Sequence, residues 1–371
     1  MKKHILSQTV ERLEEEFLAW GEQRWRAGQL LDWIYRKHVS SFAACTNLSK
    51  TLRQKLEGHF SFYIPPLLHQ SDPGDETQKF LWKLEDGSLV ESVLLEAPSE
   101  SESTQEGRGS AGRKTLCLST QVGCAYGCKF CASGRSGFVR NLTAAEMVEQ
   151  FLGVERWNRA RGYDLPERWI SNIVVMGMGE PLANYEELLC ALSILNAPWG
   201  GGVGARKITI STSGLVPEIL RLAAEPEQYR LAISLHGASD EVRSRIMPIN
   251  RKYPLAALLK ACGEYQRAKG RMISFEYILI ERLNDTPEQC HGLAAIARRF
   301  HAHVNLISYN RVEGCDFSRP PAEVIQRFYR ELLSLGVSTT LRQEKGGDLD
   351  AACGQLRLRK MQDLAEGPFP S

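Results

Sequence analysis

Cys124-Ala-Tyr-Gly-Cys128-Lys-Phe-Cys131 brings three cysteines into eight consecutive residues. Three thiolates at this C-x3-C-x2-C spacing can each bind one iron of a cuboidal iron–sulfur cluster, which leaves the fourth iron open to a further ligand. A structural zinc site has four protein ligands, and no fourth ligand is recognisable beside this motif. The spacing therefore favours a redox-active 4Fe–4S cluster over a zinc knuckle.

Short β-rich runs alternate with helix-length segments on both sides of this motif. The β-rich runs are residues 115–120, 173–178, 207–212, 231–236, 273–280, 304–309 and 337–341. The segments expected to be helical are residues 143–156, 185–195, 216–224, 254–269, 287–300 and 321–335. Strand–helix repetition implies right-handed crossovers and a parallel sheet. We therefore expect an α/β fold, with a partial (β/α)6 TIM-like barrel over residues 114–345.

The first 60 residues predict a small helical accessory domain. Leu30, Leu31 and Ile34 form a helical stripe, and basic residues stand beside aromatic ones, as in Arg24-Trp25-Arg26. This pattern fits an RNA-binding module, with cations on phosphates and rings on bases. It fits a helical bundle with a solvated basic face equally well.

Residues 61–113 and 346–371 complete the predicted organisation. Two alternating runs, 80–84 and 89–95, flank Asp86-Gly87, which predicts a β-hairpin extension. Residues 97–113 are rich in Ser, Glu and Gly, and we expect a mobile loop that points to solvent. Residues 346–371 are expected to form a Gly-rich loop and a tail.

Polar residues follow four of the predicted strands. They are Gly179-Glu180, Ser211, Ser234-Leu235-His236 and Asn310. Functional residues of parallel barrels collect at the C-terminal ends of the strands. His236 alone would fit a satisfied core histidine, but the four positions together predict a ligand site.

Two cysteines outside the motif also have a chemical interpretation. Cys117 lies on the first barrel strand, and Cys353 lies in the Gly-rich C-terminal loop. An accessible cysteine in a flexible loop is a better nucleophile than a structural residue, so Cys353 is a candidate nucleophile. The other cysteines are expected to be inert: Cys45, Cys190, Cys262, Cys290 and Cys315.

Bulk composition excludes few classes of protein. The chain has 371 residues, a formal net charge of +2 and 24% charged residues, which is typical of a globular protein and leaves nucleic-acid binding open. No signal peptide and no apolar run of about 18 residues is visible, so we expect a cytoplasmic protein that does not enter a membrane. In a reducing cytosol, clustered cysteines favour metal or redox chemistry over disulfides.

The three-cysteine motif resembles that of the radical S-adenosylmethionine (SAM) superfamily. Four further segments narrow the resemblance to the RlmN/Cfr family of radical RNA methyltransferases, and they are residues 121–124, 176–182, 211–215 and 350–356. Residues 26–30 extend it into the accessory domain. The resemblance implies a 4Fe–4S cluster on Cys124, Cys128 and Cys131. It also implies SAM, two per turnover, bound by the residues that follow the strands: Gly179, Glu180, Ser211, Ser234, Leu235, His236 and Asn310.

The same resemblance implies an activity and its machinery. The expected reaction is methylation of C2 of an adenosine in the peptidyl-transferase region of 23S rRNA, and of an adenosine next to the tRNA anticodon. Cys353 would carry the methyl group as S-methylcysteine. Cys117 would release the product by forming a transient disulfide with Cys353, and Glu91 would accept the proton from the base. A flavodoxin or ferredoxin would supply electrons, and we expect a monomer.

Three other functions remain open from the sequence. A C8-methylating enzyme that confers antibiotic resistance would share every residue named above. A glycyl-radical activase uses the same cysteine spacing but has no need of Cys117 or Cys353. An RNA-binding protein with a structural metal is the non-enzymatic alternative.

Overall fold

The computed structural model describes residues 2–71, 77–97, 113–161, 166, 169–312, 314–342 and 356–357. Its helices are α1 Val10–Ala19, α2 Trp25–Tyr35, α3 Lys50–His59, α4 Ala132–Arg135, α5 Ala144–Ala160, α6 Tyr185–Asn196, α7 Val216–Ala224, α8 Asp240–Ile246, α9 Leu255–Lys269, α10 Pro287–Arg299 and α11 Ala322–Ser334. Its strands are β1 Lys3–His4, β2 Phe60–Ser61, β3 Leu67–Gln70, β4 Thr77–Lys83, β5 Leu89–Ala97, β6 Arg113–Cys117, β7 Gln121–Gly123, β8 Phe138–Asn141, β9 Asn172–Val175, β10 Ile208–Thr212, β11 Arg230–Ser234, β12 Ser274–Leu279, β13 His303–Ser308 and β14 Thr339–Arg342.

The chain forms two compact units. The first contains Met1–Leu118, Asn141–Ile173 and Glu186–Lys207, and the second contains Ser119–Arg140, Val174–Tyr185 and Ile208–Ser371. The domain boundaries expected from the sequence stay a prediction. Cys353, the predicted loop between Ala97 and Arg113, and most of the C-terminal segment lie outside the described residues.

The first unit combines the N-terminal helices with an antiparallel sheet. Side chains that pack between the helices are fully buried, among them Leu13, Phe17 and Leu30. Strands β3 to β6 pair antiparallel in chain order. The predicted hairpin is confirmed as β4 and β5, and its turn places Gly87 at a φ of +83°, which glycine adopts without strain.

The second unit contains a parallel sheet. Strands β10 to β14 pair in chain order, each parallel to the next, and helices of the chain lie between successive strands. Sequential parallel pairing is the strand order of a partial barrel, so the predicted α/β fold is confirmed. Among the described residues, no helix is long and apolar enough to cross a membrane.

The parallel sheet has two chemically different faces. The register places Ile233, Phe275 and Val304 on one face, and all three are fully buried. On the other face, Ser234 pairs with Glu276 and Glu276 pairs with Asn305. Side chains alternate along each strand, so one face supplies the core while the other collects polar groups.

Some element boundaries differ from those predicted. The predicted strand 231–236 ends at Ser234, because His236 has a left-handed backbone with a φ of +56° and cannot continue an extended strand. Helix α8 was not predicted from the sequence. It begins at the N-cap Ser239, whose side chain accepts a hydrogen bond from the Val242 backbone.

Candidate active site

The three motif cysteines lie in the loop between β7 and α4 of the second unit. A close backbone contact shapes the base of this loop. Cys124 N donates to Gly137 O at 3.0 Å, and a Cβ on Gly123 would stand 1.8 Å from the same oxygen. Gly123 also has a φ of +79°. Only glycine fits at this position, so the local sequence fixes how the loop leaves β7.

The three thiols are close enough to influence one another. Burial, with a smaller contribution from the neighbouring Cys131, raises the pKa of Cys124 to about 11. Burial also raises the pKa of Cys128 well above its ordinary value, with Cys131 and Cys124 adding to the effect. Three mutually repelling, desolvated thiols favour a cationic partner, because metal binding deprotonates a coordinating thiol.

A cuboidal cluster suits the donor set of this loop. A 4Fe–4S cluster binds each cysteine through a different iron, so its ligands do not need to converge on one point. The motif itself supplies three cysteine thiols, which fits a cluster with one open iron.

Gly179 and Glu180 are anchored to the segment that precedes the cysteine loop. Glu180 N donates to Gln121 Oε1 at 2.9 Å, and Thr120 N donates to Met178 O at 2.8 Å. Gly179 has a φ of +101°, and a Cβ there would stand 2.6 Å from Gln121 Cβ. This glycine is therefore required both by its backbone conformation and by the close approach of the two segments.

The Glu180 carboxylate is buried, with 4% of its surface exposed. Its Oε2 accepts a hydrogen bond from Ser213 N at 2.7 Å, and its Oε1 accepts one from Leu182 N at 3.1 Å. Burial raises the pKa of Glu180, and the Ser213 donor opposes that shift. The carboxylate thus links the end of β9 to the end of β10 and stands as a buried negative group in the second unit.

Ser211, Ser234 and Leu235 lie at the ends of adjacent strands. Ser211 Oγ lies 3.5 Å from Ser234 Oγ, so a hydrogen bond between the two hydroxyls joins β10 to β11. Leu235 N donates to Glu276 O at 3.0 Å. The predicted ligand residues of these two strands are therefore brought together.

His236 is held as a neutral imidazole. Its Nδ1 accepts a hydrogen bond from Ile278 N at 3.1 Å, which leaves the ring proton on Nε2. Burial and, to a smaller extent, the Arg243 charge lower the pKa of His236 to about 3. The ring meets Phe130 of the cysteine loop edge-on, with 4.8 Å between centroids. His236 can therefore donate one hydrogen bond from Nε2 without carrying charge.

The other residues predicted for the site are divided between the two units. Asn310 is half-buried just after β13 in the second unit. Glu91 and Cys117 belong to the first unit, where both are buried. Val93 pairs with Cys117 across β5 and β6, so Glu91 lies one diagonal step from Cys117 on the same face of the sheet. These two residues are thus near neighbours, as a shared role requires.

Two residues near the site were not found from the sequence. Cys315, which the sequence suggests is inert, donates from Sγ to Lys129 O at 3.1 Å and accepts from Arg135 Nη1 at 3.4 Å. Glu276 is buried on β12 and accepts from Asn305 Nδ2 at 2.7 Å. In the sequence, Glu276 could have been found as a single carboxylate inside the apolar run 273–280. Cys315 is an isolated cysteine, and no sequence pattern marks it.

Comparisons with known proteins agree with this geometry. Residues 4–61 match the model of the ribosomal RNA large subunit methyltransferase N-terminal domain. Residues 118–290 match the radical SAM superfamily. Members of that superfamily use a 4Fe–4S cluster and SAM, so the predicted types of cofactor are confirmed.

Similarity extends over almost the whole chain. A probable dual-specificity RNA methyltransferase RlmN 3 of Opitutus terrae is 51% identical, with 96% of this chain and 95% of that protein covered. A probable dual-specificity RNA methyltransferase RlmN of Akkermansia muciniphila is 46% identical, with 97% and 96% covered. The crystal structure of a radical SAM methyltransferase from Sphaerobacter thermophilus superposes with a TM-score of 0.86 at 42% identity, and the alignment covers 95% of this chain and 98% of that one. The chain therefore belongs to the RlmN family of radical SAM methyltransferases.

Proposed function

We propose that this protein methylates C2 of adenosine in RNA, in the peptidyl-transferase region of 23S rRNA and next to the tRNA anticodon. The observation that carries the proposal is similarity to RlmN enzymes over both the N-terminal domain and the radical SAM segment. The proximity of Glu91 and Cys117 on one sheet face supports it, since a radical SAM activase would have no use for that pair.

Cys124, Cys128 and Cys131 are the proposed cluster ligands. When bound, the cluster supplies the electron that splits SAM and releases a 5′-deoxyadenosyl radical. The proposed SAM contacts are Gly179, Glu180, Ser211, Ser234, Leu235, His236 and Asn310. In this arrangement the buried Glu180 carboxylate, held by Ser213 N, would attract the SAM ammonium, and the neutral His236 could donate from Nε2. One SAM would be spent as methyl donor and a second as radical source in each turnover.

The reaction needs covalent chemistry because the adenine C2 carbon is not a nucleophile. The Cys353 thiolate would attack the methyl carbon of the first SAM, so that the methyl group moves to sulfur and S-adenosylhomocysteine leaves. The 5′-deoxyadenosyl radical from the second SAM would take a hydrogen atom from this methyl group, and the resulting methylene radical would add to C2. The adduct would give up one electron, which the oxidised cluster could accept, and its C2 proton would go to Glu91. The Cys117 thiolate would then attack Cys353 Sγ, which breaks the bond from sulfur to the methylene carbon and forms a disulfide; the freed methylene takes up a proton to become the methyl group, and a thiol reductant would reopen the disulfide. Cys117 is only 5% exposed, which shields it from other oxidants.

RNA recognition is assigned to the N-terminal helices. Trp25 is 56% exposed, and the Arg26 guanidinium lies 4.9 Å from its ring centroid. The Lys37 ammonium lies 3.7 Å from the ring centroid of Trp33. Exposed rings next to cations suit single-stranded RNA, whose bases stack while the phosphates meet positive charge. The target adenosine would leave its stack to reach the reacting groups.

The proposal extends to partners and location. A flavodoxin or ferredoxin would reduce the cluster. The protein would act as a monomer in the cytoplasm, where ribosomal RNA and tRNA are found.

Anaerobic methylation of a 23S rRNA fragment and of tRNA by the reconstituted enzyme tests the proposal. Nucleosides from the digested RNA are identified by mass spectrometry against 2-methyladenosine and 8-methyladenosine standards. We expect 2-methyladenosine from both RNAs, whereas 8-methyladenosine would assign the C8 reaction instead. Cys353→Ala should abolish methylation but still cleave SAM, and Cys262→Ala, which changes a buried cysteine on α9, is the matched control. Full methylation by Cys353→Ala would refute the two-cysteine mechanism.

A further inference from the structure

Helix α8 is connected to both halves of the candidate site in the second unit. We propose that Arg243 of this helix is a positioning residue that holds the SAM-binding strand ends, while the end of the same helix holds the cysteine loop. The spacing between cluster and SAM would then be set by a single short helix. The inference rests on the proposed SAM contacts of Ser234, Leu235 and Glu180.

The Arg243 side chain is completely buried and binds the backbone of two neighbouring strand ends. Its Nε donates to Leu235 O at 3.1 Å, and its Nη2 donates to Ser213 O and, at 3.5 Å, to Ser234 O. Ser213 is also the residue whose backbone N–H binds the Glu180 carboxylate. One guanidinium therefore fixes the carbonyl groups around three proposed SAM contacts.

The last turn of α8 contacts the cysteine loop. Lys129, which lies between Cys128 and Cys131, donates from its backbone N–H to Ile246 O at 2.9 Å. Ile246 is three residues after Arg243, so less than one helical turn separates the two attachment points. A short helix of fixed geometry therefore links the loop of the cluster ligands to the strand ends that face SAM.

The surroundings of Arg243 favour a positioning role over a simple ion pair. Its Nη1 donates to Asn250 Oδ1 at 2.7 Å, and Asn250 Nδ2 donates to Asp240 Oδ1 at 2.8 Å. Within the described part of the chain, no carboxylate hydrogen-bonds directly to the guanidinium. Burying a cation among neutral acceptors is costly, and a planar fork with several donors is the side chain that can bridge separate carbonyls.

The packing around α8 leaves little freedom for it to shift. A Cβ on Gly237 would stand 2.9 Å from Arg243 N and 3.1 Å from its Cα. The strand end of β11 therefore approaches the helix backbone as closely as a glycine permits. Arg243→Lys would keep the positive charge, but a single ammonium group could not bond the carbonyl oxygens of Ser213, Ser234 and Leu235 together.

The test compares Arg243→Lys with Arg245→Lys, which changes an exposed arginine on the same helix. Both reconstituted proteins are assayed for iron content, thermal unfolding, SAM affinity by anaerobic calorimetry, and 5′-deoxyadenosine formed per methylated nucleoside. For Arg243→Lys we expect full iron content, a Kd for SAM raised about tenfold or more, and excess 5′-deoxyadenosine, since misplacement of about 1 Å can cost on the order of a hundredfold in rate. Arg245→Lys should match the unaltered enzyme.

A purely structural role predicts a different result. A lower unfolding temperature with unchanged SAM affinity and unchanged product ratio would overturn the proposal. If Arg243→Lys does not fold, Gly237→Ala displaces the helix while keeping the guanidinium, and it should weaken SAM binding in the same direction; unaltered binding would again overturn the proposal. SAM affinity is measured without RNA, so a failure to methylate the expected RNA would count against the proposed function alone.

Discussion

Replacing Glu180 by glutamine separates the structural role of this carboxylate from its proposed contact with SAM. The carboxylate accepts one backbone N–H at each oxygen, from Ser213 and from Leu182. Glutamine has a single carbonyl oxygen, so its NH2 group must face one of these two donors. The variant loses one hydrogen bond to an ionised acceptor, worth about 1.5–3 kcal/mol, but it also loses the desolvation cost that raises the pKa of Glu180. We therefore expect the free energy of unfolding to fall by less than that amount.

The effect on SAM binding comes from the charge. A hydrogen bond between the SAM ammonium and a carboxylate is about 1–2 kcal/mol stronger than one to a neutral amide, because charge-assisted bonds are roughly twice as strong as neutral ones. We therefore expect the Kd for SAM to rise by roughly 5–30-fold. Anaerobic calorimetry on the reconstituted enzyme measures the affinity, and denaturant unfolding measures the stability.

Glu241→Gln is the matched control, since Glu241 is an exposed carboxylate on α8. It should change neither quantity. If Glu180→Gln lowers stability as expected but binds SAM with unchanged affinity, then Glu180 only joins two strand ends, and the assigned ammonium contact is wrong.

Three further predictions use other parts of the structure. Gly179→Ala should lose most SAM binding, because its Cβ meets Gln121 at 2.6 Å and alanine is strained at a φ of +101°; calorimetry checks this against Gly204→Ala, where the added methyl meets nothing within 4 Å. The pKa of His236 is lowered from 6.5 to about 3, so the unfolded chain binds the proton more readily and stability falls as the pH falls. Between pH 7 and pH 5 this residue should account for about 2 kcal/mol of lost stability. Denaturant titrations at the two pH values should show that His236→Gln lacks this part of the pH dependence. Trp82→Phe should cost about 0.5–1.5 kcal/mol of stability for the bond from Nε1 to Ser92 Oγ at 2.8 Å, with SAM affinity unchanged.

The parallel architecture could be predicted because its signals are local. Strands β10 to β13 are each a largely apolar run followed by polar residues and a helix-length segment, so the order of these elements and the ends of the strands follow from hydrophobic period and turn chemistry. The hairpin followed from Asp86-Gly87 in the same way. Seven-residue α8 was missed because it is too short to show a helical period.

The internal organisation of the site could not be predicted, since it depends on contacts distant in sequence. Glu180 binds Ser213, and Arg243 reaches back to Ser213 and Ser234, across separations that no local pattern encodes. Cys315 joins the cysteine loop across 186 residues. Sequence resemblance named most of the proposed site residues, but only the fold shows which side chains hold them in place.

The two faces of the parallel sheet make correct folding a condition for radical chemistry. The register that places Ile233 and Phe275 in the core is the same register that aligns Ser234 with Glu276, so a slip of one residue would turn the polar set toward the core and the apolar set away from it. A chain with incompletely paired strands therefore lacks the polar surface proposed to bind SAM, so radical formation at this site would depend on a correctly folded sheet.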